Sequence, residues 1–233
     1  MNSFSNLTVI VPTLNEEKAI QILLEELEKY VPEAKVIVTD DGSFDNTKQN
    51  VISFEGNLNV KFLDRSKKPV HGLTASVLDA ILQTETPYFL VMDADLQHPP
   101  KKLPEFYEEL NKGFDLVVGK RRKVKEKWSF HRKLISYSAT ILGKIVLSLR
   151  NKNKCQDIMS GFFASKTEIW KDLIQKKEQK FTLEGYKVLF DFLKAFPKKI
   201  RIQEVEYDFG HRDYGSSKIN KRIIWLYFKS LFK

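Results

Sequence analysis

The sequence has 233 residues, of which 42% are hydrophobic and 30% are charged, and its single cysteine is Cys155. This composition fits one globular α/β domain, alone or with an appendage, and excludes a disordered chain and a disulfide scaffold. Residues 1–119 carry 11 Lys and Arg against 19 Asp and Glu, a balance of −8, whereas residues 120–233 carry 28 against 11, a balance of +17. The basic half leaves three interpretations open, namely a solvated basic surface, a nucleic-acid-binding face and a face for an anionic membrane.

The acidic half alternates strand and helix patterns. Short β-branched runs predict strands over Leu7–Val11, Lys35–Thr39, Asn59–Leu63, Tyr88–Met92 and Asp115–Val118. Apolar residues at helical spacing predict helices over Glu16–Tyr30, Leu73–Leu82 and Pro99–Leu110, with a further helix capped by Asp45 or Asn46. Near-continuous apolar strands separated by amphipathic helices indicate a mostly parallel sheet with helices on both faces.

The basic half follows a different pattern. The predicted elements are a basic loop at Lys120–Lys127, helices over Ser129–Leu149 and Phe181–Phe196, a strand over Ile200–Tyr207, a loop from Gly210 to Ser217, and an apolar-basic tail, Ile219–Lys233. The uncharged run between Lys133 and Lys144 has ten residues, short of the ~18–20 that a membrane-spanning helix needs. The helix over Ser129–Leu149 therefore either packs on the core or lies in a membrane interface, and for the aromatic-rich tail we expect contact with a membrane or a partner. The start of the chain shows no basic n-region of a signal peptide.

Polar side chains follow three of the predicted parallel strands. Glu16 follows the first strand, Asp40 and Asp41 follow the second, and Asp93-Ala94-Asp95-Leu96-Gln97 follows the fourth. The carboxyl ends of parallel strands share one edge of the sheet, which is where such folds bind ligands. Five carboxylates at one edge are costly without a positive partner, and carboxylate and amide oxygens suit Mg²⁺ or Mn²⁺ held together with a substrate diphosphate. Two Asp residues at a strand end can also serve only as turn and helix-cap residues.

Seven motifs in register give the sequence a family resemblance. They are Val11-Pro12-Thr13-Leu14-Asn15-Glu16, Asp40-Asp41-Gly42-Ser43-Phe44-Asp45-Asn46-Thr47, Met92-Asp93-Ala94-Asp95-Leu96-Gln97-His98-Pro99-Pro100, Gly119-Lys120-Arg121, Arg132 with Ser136, Gln156-Asp157-Ile158-Met159-Ser160-Gly161-Phe162, and Phe209-Gly210-His211-Arg212-Asp213-Tyr214-Gly215-Ser216-Ser217-Lys218. From about Val9 to Lys218 the chain resembles the family-2 glycosyltransferases of the GT-A fold, in particular the polyprenyl-phosphate sugar synthases typified by dolichyl-phosphate mannose synthase. Leu14 stands where that family often has Tyr, and Thr74 replaces the second Gly of a GLGxA segment.

The resemblance implies a GT-A catalytic domain over residues 1–218, followed by the tail, residues 219–233. The implied nucleotide site comprises Pro12, Leu14, Glu16, Asp40, Asp41, Asp93, Ala94, Arg212 and Lys218. The implied metal site for Mg²⁺ or Mn²⁺ comprises Asp93, Asp95 and Gln97, the implied acceptor-phosphate site comprises Arg121, Arg132 and Ser136, and the implied catalytic residues are Asp95 and Arg212. Asp157 either contacts the acceptor or the sugar or caps a turn. His71 and His98 are expected not to ligate the metal.

The implied reaction moves a sugar, with mannose from GDP-mannose favoured, onto a polyprenyl phosphate of the dolichyl type. That acceptor is already a nucleophile, so no general base is assigned, and binding its phosphate accounts for the basic half. The implied location is peripheral, on the cytoplasmic face of a membrane, with the chain acting alone or with a membrane-anchoring subunit, and no nucleic acid is expected as a partner. Two alternatives stay open: a family-2 transferase with a UDP-sugar or a water-soluble or glycan acceptor, and a basic nucleic-acid-binding protein.

Overall fold

The structure is a computed structural model that describes residues 3–124, 130–210 and 221–231, without the side chains of residues 123–124, 130–137, 221 and 223–224. Its strands are β1 (Leu7–Thr13), β2 (Lys35–Asp40), β3 (Asn59–Asp64), β4 (Tyr88–Val91), β5 (Leu116–Val124), β6 (Phe163–Lys166) and β7 (Ile202–Phe209). Its helices are α1 (Glu17–Tyr30), α2 (Thr47–Ile52), α3 (Leu73–Gln83), α4 (Leu103–Asn111), α5 (Phe130–Leu149), α6 (Thr167–Lys177), α7 (Val188–Ala195) and α8 (Lys221–Leu231). In the acidic half every predicted strand and helix is present, with shifted ends.

Seven strands form one sheet in the order β3-β2-β1-β4-β6-β5-β7. β1 pairs in parallel with β2 and β4, β2 pairs in parallel with β3, and β5 pairs in parallel with β7, whereas β6 runs antiparallel to both β4 and β5. The mostly parallel sheet expected from the sequence is confirmed, with one reversed strand. Because β6 is reversed, β5 again runs in the direction of β4. The carboxyl ends of β1, β2, β4 and β5 therefore lie, together with the start of β6, at one edge of the sheet, called the site edge below.

Helices cover both faces of the sheet. Alternate residues of β1 pack on opposite faces, since Val9 and Val11 belong to one apolar cluster and Ile10 belongs to the other. Residues of α1, α2 and α4 complete the cluster around Val9, and residues of α3, α5, α6, α7 and α8 complete the cluster around Ile10. The central strands are thus buried on both faces, which is why they read as continuous apolar runs in the sequence.

The basic half differs from the prediction in three places. The helix expected over Phe181–Phe196 is shortened to α7, because the chain turns at Gly185, whose N–H donates to the Thr182 carbonyl at 2.8 Å. The prediction of a basic loop at Lys120–Lys127 is wrong for residues 120–124, because β5 continues to Val124 and pairs with β7. Neither β6 nor α6 is predicted; β6 has only four residues, and two of them are polar.

The basic residues of β5 alternate between the two faces of the strand. The Nζ atom of Lys120 lies 2.8 Å from Glu206, and Arg122 forms a bidentate pair with Asp208 at 3.0 and 3.1 Å. Arg121, between them, turns to the other face of the strand. Part of the positive charge of the basic half is therefore neutralised by acidic residues of β7 instead of being presented to a ligand.

The tail forms the amphipathic helix α8, and one face of this helix packs on the domain. Leu226 and Tyr227 are buried, and the Tyr227 hydroxyl donates to the Ala139 carbonyl of α5 at 2.6 Å. Trp225 and Phe228, on the other face, are 61% and 47% exposed. The face that carries Trp225 and Phe228 is therefore the one available for the expected contact with a membrane or a partner. No helix in the described ranges combines the length and the apolar character needed to cross a bilayer.

Candidate active site

The loop after β2 is shaped by the buried carboxylate of Asp40. Its Oδ1 atom accepts the N–H groups of Gly42 and Ser43 at 3.1 and 2.8 Å, and its Oδ2 atom accepts the hydroxyls of Thr13 and Ser43 at 2.9 and 2.5 Å. Gly42 has a φ of 95°, a left-handed conformation that favours glycine at this turn. Four hydrogen bonds within the chain make Asp40 a residue that fixes the shape of the loop beneath the predicted nucleotide site.

Asp41 is held by an arginine that the sequence motifs do not include. Arg65 follows β3, is 2% exposed, and forms ion pairs with Asp41 and with Asp79, the latter at 2.9 Å. The second carboxylate oxygen of Asp41 accepts the Gly72 N–H at 2.7 Å, and its first lies 3.2 Å from Nδ1 of His71. Arg65 thus supplies part of the positive charge that an acidic sheet edge requires. The sequence could have indicated Arg65 by its position, because it directly follows β3, another parallel strand of the same sheet.

The loop after β1 is fastened to the loop after β2. The Asn15 N–H donates to the Ser43 hydroxyl at 2.7 Å, and the Glu16 N–H donates to the Thr47 hydroxyl at 2.8 Å. The half-buried residues of the predicted nucleotide site here are Pro12, at the end of β1, and Leu14 and Glu16, on the loop after it. The structure therefore brings the predicted nucleotide residues of the first two motifs together at the site edge.

The loop after β4, residues 92–99, carries the predicted metal ligands and is called the metal loop below. The side chain of Asp93 is 35% exposed, whereas Ala94, Asp95 and Gln97 are buried, and the Gln97 N–H donates to Oδ1 of Asp95 at 3.1 Å. The Gln97 side-chain amide donates to the Gly210 carbonyl at 3.2 Å, and the Gly210 N–H donates to the Gln97 carbonyl at 3.0 Å. The chain that leaves β7 is therefore fastened to the metal loop.

The donor set of the metal loop fits a hard divalent cation. Two carboxylates and an amide oxygen are ligands that Mg²⁺ and Mn²⁺ accept, and Mg²⁺ usually completes its shell with water and substrate phosphate. In the part of the chain that the structure describes, no three His, Cys, Asp or Glu side chains converge as a complete metal cage. An incomplete donor set that includes a half-exposed carboxylate suits a metal shared with a diphosphate.

His98 supports the metal loop as a neutral ring. Its Nδ1 atom accepts the Asp93 N–H at 3.0 Å, and its ring stacks on Phe162 with the ring centroids 4.9 Å apart. Burial lowers the pKa of His98 to about 4, despite the opposing charge of Asp95. Because Nδ1 already accepts a backbone hydrogen bond, this nitrogen is not available as a metal ligand.

Arg121 pairs with Asp157 at the carboxyl side of β5. The Nε and Nη2 atoms of Arg121 donate to the two Asp157 oxygens at 2.7 and 3.1 Å, and the guanidinium carbon lies 5.8 Å from the Phe209 ring centroid. Burial opposes the charge of Arg121, but the Asp157 carboxylate outweighs burial and raises the pKa of the guanidinium. The Ser160 N–H also donates to the Asp157 carbonyl at 3.1 Å, so Asp157 closes a turn as well as orienting Arg121.

Lys187 brings a second cation to the same place, and the seven motifs do not contain it. It immediately precedes α7, and its Nζ atom donates to the Met159 carbonyl at 3.2 Å. Burial lowers the pKa of Lys187 to about 7; the positive charge of Arg121 adds to this effect, and the charges of Asp157 and Asp93 oppose it. The Lys187 ammonium therefore lies within electrostatic range of both the Arg121 pair and the metal loop.

The segment that precedes Lys187 also contacts the first turn of α3. The N–H groups of Thr74 and Ala75 donate to the carbonyls of Gly185 and Leu183 at 3.0 and 3.1 Å. Gly72, with a φ of 148°, lies against the same backbone, and a Cβ atom at Gly72 would come within 2.6 Å of the Leu183 carbonyl oxygen. This segment therefore bridges the predicted donor and acceptor parts of the site.

Four predicted site residues have no described side chain. Arg212 and Lys218 lie outside the described residues, and Arg132 and Ser136 lie on α5 among the residues whose side chains are not described. The other predicted residues lie at or directly after the carboxyl ends of β1, β2 and β4 or near the carboxyl end of β5, so the structure brings them to the site edge.

Comparison with known proteins gives relatives along nearly the whole chain. Residues 8–174 match the family model described as Glycosyl transferase family 2. The dolichol-phosphate mannosyltransferase of Pyrococcus furiosus is 32% identical over 97% of this chain and 62% of its own length, so the chain spans less than two thirds of that relative. The undecaprenyl-phosphate mannosyltransferase of Micrococcus luteus is 31% identical over 92% of this chain and 88% of its own.

Solved structures of glucosyl-3-phosphoglycerate synthase from Mycobacterium tuberculosis share the fold. The complex with phosphoglyceric acid superimposes with a TM-score of 0.67 at 20% identity, covering 97% of this chain and 78% of that one. The complex with Mn²⁺, UDP-glucose and phosphoglyceric acid gives a TM-score of 0.66 at 20% identity, covering 97% and 79%. These likenesses confirm the expected GT-A fold. With the family model matching more than half of its residues, the chain belongs to glycosyl transferase family 2.

Proposed function

We propose that this chain transfers a sugar from a nucleotide-sugar to a polyprenyl phosphate. The observation that carries the proposal is that the segment holding Arg121 through Asp157 lies against the metal loop, with Asp93 close enough to act on the charge of Arg121. Gly161 lies at the end of the turn that Asp157 closes, and a Cβ atom built there would be 3.6 Å from Oδ1 of Asp93. A cation held beside the predicted diphosphate site suits an acceptor that carries its own phosphate. The relatives named dolichol-phosphate and undecaprenyl-phosphate mannosyltransferase support the same acceptor class.

The nucleotide part of the donor is proposed to bind over the loops that follow β1 and β2. Pro12, Leu14, Glu16 and Asp41 line this region, with Asp40 holding the loop beneath them. Arg212 and Lys218 are proposed to neutralise donor phosphates, as the motif resemblance implies. Arg212 follows Gly210 by two residues, a reach of about 7 Å, and Gly210 is hydrogen-bonded to Gln97. This connection supports a role for Arg212 beside the metal loop.

Asp93, Asp95 and Gln97 are proposed to hold Mg²⁺ or Mn²⁺ against the donor diphosphate. When bound, the cation neutralises charge on the departing nucleoside diphosphate. His98 keeps the loop in place through its bond to the Asp93 N–H. The hydrogen bond from Gln97 N–H to Asp95 fixes the buried carboxylate in one orientation.

In the proposed reaction, an oxygen of the acceptor phosphate forms a bond to the anomeric carbon of the sugar. The bond between that carbon and the donor diphosphate breaks, and the nucleoside diphosphate leaves with the electron pair. A phosphate monoester is already anionic at neutral pH, so no general base is assigned. The residues act by positioning and by stabilising charge, with Arg121, Arg132 and Ser136 proposed to hold the acceptor phosphate.

We favour mannose from GDP-mannose as the donor because the relatives are named mannosyltransferases. A UDP-sugar is the alternative donor, and a water-soluble or glycan acceptor is the alternative acceptor. Membership of glycosyl transferase family 2 favours an enzyme over the nucleic-acid-binding alternative.

A membrane-facing surface is proposed on α5 and α8. Ile141, Ile145 and Leu149 of α5 are 41%, 48% and 83% exposed, and Trp225 and Phe228 of α8 are exposed as well. α5 also buries Leu147 in the core, so this helix has one face for the core and one for a membrane. Exposed apolar side chains on two helices of a basic half suit an anionic leaflet, and we place the chain peripherally on its cytoplasmic face. A membrane-anchoring subunit would use the same surface.

A panel of donors and acceptors tests the proposal. GDP-mannose and UDP-glucose are each offered with a short-chain polyprenyl phosphate, with the matching polyprenol, and with a water-soluble phosphorylated acceptor, in Mg²⁺, Mn²⁺ or EDTA. We expect transfer from GDP-mannose to the polyprenyl phosphate in either metal and none in EDTA. Transfer to the water-soluble acceptor alone, or equal transfer to the phosphate and the alcohol, would refute the proposed acceptor.

A further inference from the structure

We propose that Lys187 binds the acceptor phosphate together with Arg121. This inference rests on the proposed function and adds a phosphate-binding residue that none of the seven motifs contains. It is drawn from the turn over residues 157–161, from the partners of the Lys187 ammonium, and from the balance of charge around them.

The turn over residues 157–161 makes hydrogen bonds to both Arg121 and Lys187. Asp157, at its start, binds two nitrogens of Arg121, and Met159, two residues later, accepts a hydrogen bond from Nζ of Lys187 at 3.2 Å. At its end lies Gly161, where a Cβ atom would be 3.6 Å from Oδ1 of Asp93. The guanidinium and the ammonium are therefore attached to the same few residues, and those residues abut the metal loop.

Among the residues that the structure describes, no carboxylate lies within ion-pair distance of the Lys187 ammonium, although Asp157 and Asp93 act on its charge from farther away and the Tyr186 ring centroid lies 4.2 Å from it. Its one hydrogen bond there goes to a neutral carbonyl, although an ammonium has three N–H donors. The side chain is half-buried, so solvent satisfies the remaining donors only in part. A half-buried cation without a carboxylate in contact is costly for the protein, and an anionic ligand would remove that cost.

The charge of the cluster favours a phosphate as that ligand. A bound anion favours the protonated form of Lys187, which then adds a second positive charge to that of Arg121, and Asp157 returns one negative charge. Asp93 and Asp95 are the proposed ligands of a divalent cation, which would compensate their charge. The cluster then retains one surplus positive charge at the place where the acceptor phosphate has to approach the donor sugar.

The test compares Lys187→Met, Lys187→Gln and Lys187→Arg with Lys198→Met. Lys198 is an exposed lysine before β7, at the opposite edge of the sheet, so it controls for the loss of a positive charge. We expect Lys187→Met and Lys187→Gln to raise the KM for polyprenyl phosphate about tenfold or more, the usual effect of losing a charge-assisted hydrogen bond. The Kd for the nucleoside diphosphate in Mn²⁺ should stay within about twofold. Lys187→Arg should recover part of the acceptor KM, and Lys198→Met should match the wild type.

A binding measurement separates a phosphate contact from a purely structural role. Wild-type protein should bind vesicles containing polyprenyl phosphate more tightly than vesicles containing the same polyprenol, and Lys187→Gln should lose most of this difference. If wild-type protein transfers no sugar to polyprenyl phosphate, the proposed function fails, whatever the variants do. If wild-type protein transfers sugar and both neutral variants keep the acceptor KM, the inference about Lys187 is overturned. An equal loss of donor and acceptor binding with a lowered Tm would also overturn it.

Discussion

Replacing Arg65 by Met tests the internal neutralisation of the acidic site edge. Arg65 is 2% exposed and pairs with Asp41 and Asp79, and it also donates to the Ser76 hydroxyl and to the Val70 carbonyl at 2.9 Å each. Met has a similar length but neither charge nor donors. Asp41, whose side chain is 10% exposed, would then carry its charge in a largely buried place without its cationic partner.

The expected loss of stability is dominated by Asp41. Removing one partner of a buried ion pair costs about 3–5 kcal/mol, because the other charge stays buried and uncompensated. Asp79 contributes far less, since its side chain is 27% exposed and lies 3.5 Å from Lys68, and pairs of that kind are worth at most about 1 kcal/mol. We therefore expect Arg65→Met to lower the free energy of unfolding by about 3–5 kcal/mol.

Urea unfolding of five proteins checks this reasoning. The set is the wild type, Arg65→Met, Asp41→Asn and the double variant, with Asp79→Asn as the control for a more exposed carboxylate. Because Asn carries no charge, the double variant should be more stable than Arg65→Met alone. The reasoning would be refuted by a loss below about 1 kcal/mol in Arg65→Met, or by a double variant no more stable than the single one.

Three further predictions concern the metal loop, the exposed face of α8 and the loss of stability at low pH. Asp95→Asn keeps an acceptor for the Gln97 N–H but loses a ligand charge, so calorimetry should show weaker Mn²⁺-dependent binding of the nucleoside diphosphate; an unchanged Kd would contradict the metal assignment. Trp225→Ala with Phe228→Ala should lower binding to anionic vesicles about tenfold and leave transfer in detergent unchanged; unaltered vesicle binding would remove this face from the membrane surface. Although burial opposes it, the hydrogen bond from Lys166 helps to lower the pKa of Asp115, so stability from this pair is present above the ordinary carboxyl pKa of 3.8 and is lost as pH falls through the lower folded value. Unfolding of Asp115→Asn should therefore depend less on pH below 3.8, and parallel curves for variant and wild type would show otherwise.

The sequence predicts the site where local patterns carry the information. Polar residues follow the parallel strands, so the sequence indicates the candidate metal loop and the loops after β1 and β2 before their mutual positions are known. Arg65 and Lys187 are missed for a physical reason. Their partners Asp41 and Met159 are 24 and 28 residues away in the chain, and only the packed fold brings them together.

Contacts between distant parts of the chain also decide the direction of β6 and the packing of the tail, and the sequence alone does not show them. The sequence indicates that the tail is amphipathic, but the packing of one of its faces on α5 depends on a close approach at Gly143. A Cβ atom at Gly143 would come within 3.0 Å of the Tyr227 hydroxyl and 2.7 Å of a methyl carbon of Ile158. The sequence alone does not show why a glycine lies in the middle of α5, because the reason is its close contact with side chains from two distant segments.

The first amides of the helices at the site edge are already bonded to oxygens of the chain itself. The N–H groups of Glu17 and Thr47 donate to Asp45 at 3.1 and 3.0 Å, and the Thr74 N–H at the start of α3 donates to the Gly185 carbonyl. In many nucleotide-binding folds such amides point at a phosphate and attract its charge. Here these three amides are already bonded within the chain, so they are not available to bind the phosphates of the proposed donor. If the proposed function holds, side-chain cations and a divalent metal ion have to balance the donor diphosphate, and we expect donor affinity to depend steeply on the concentration of that metal.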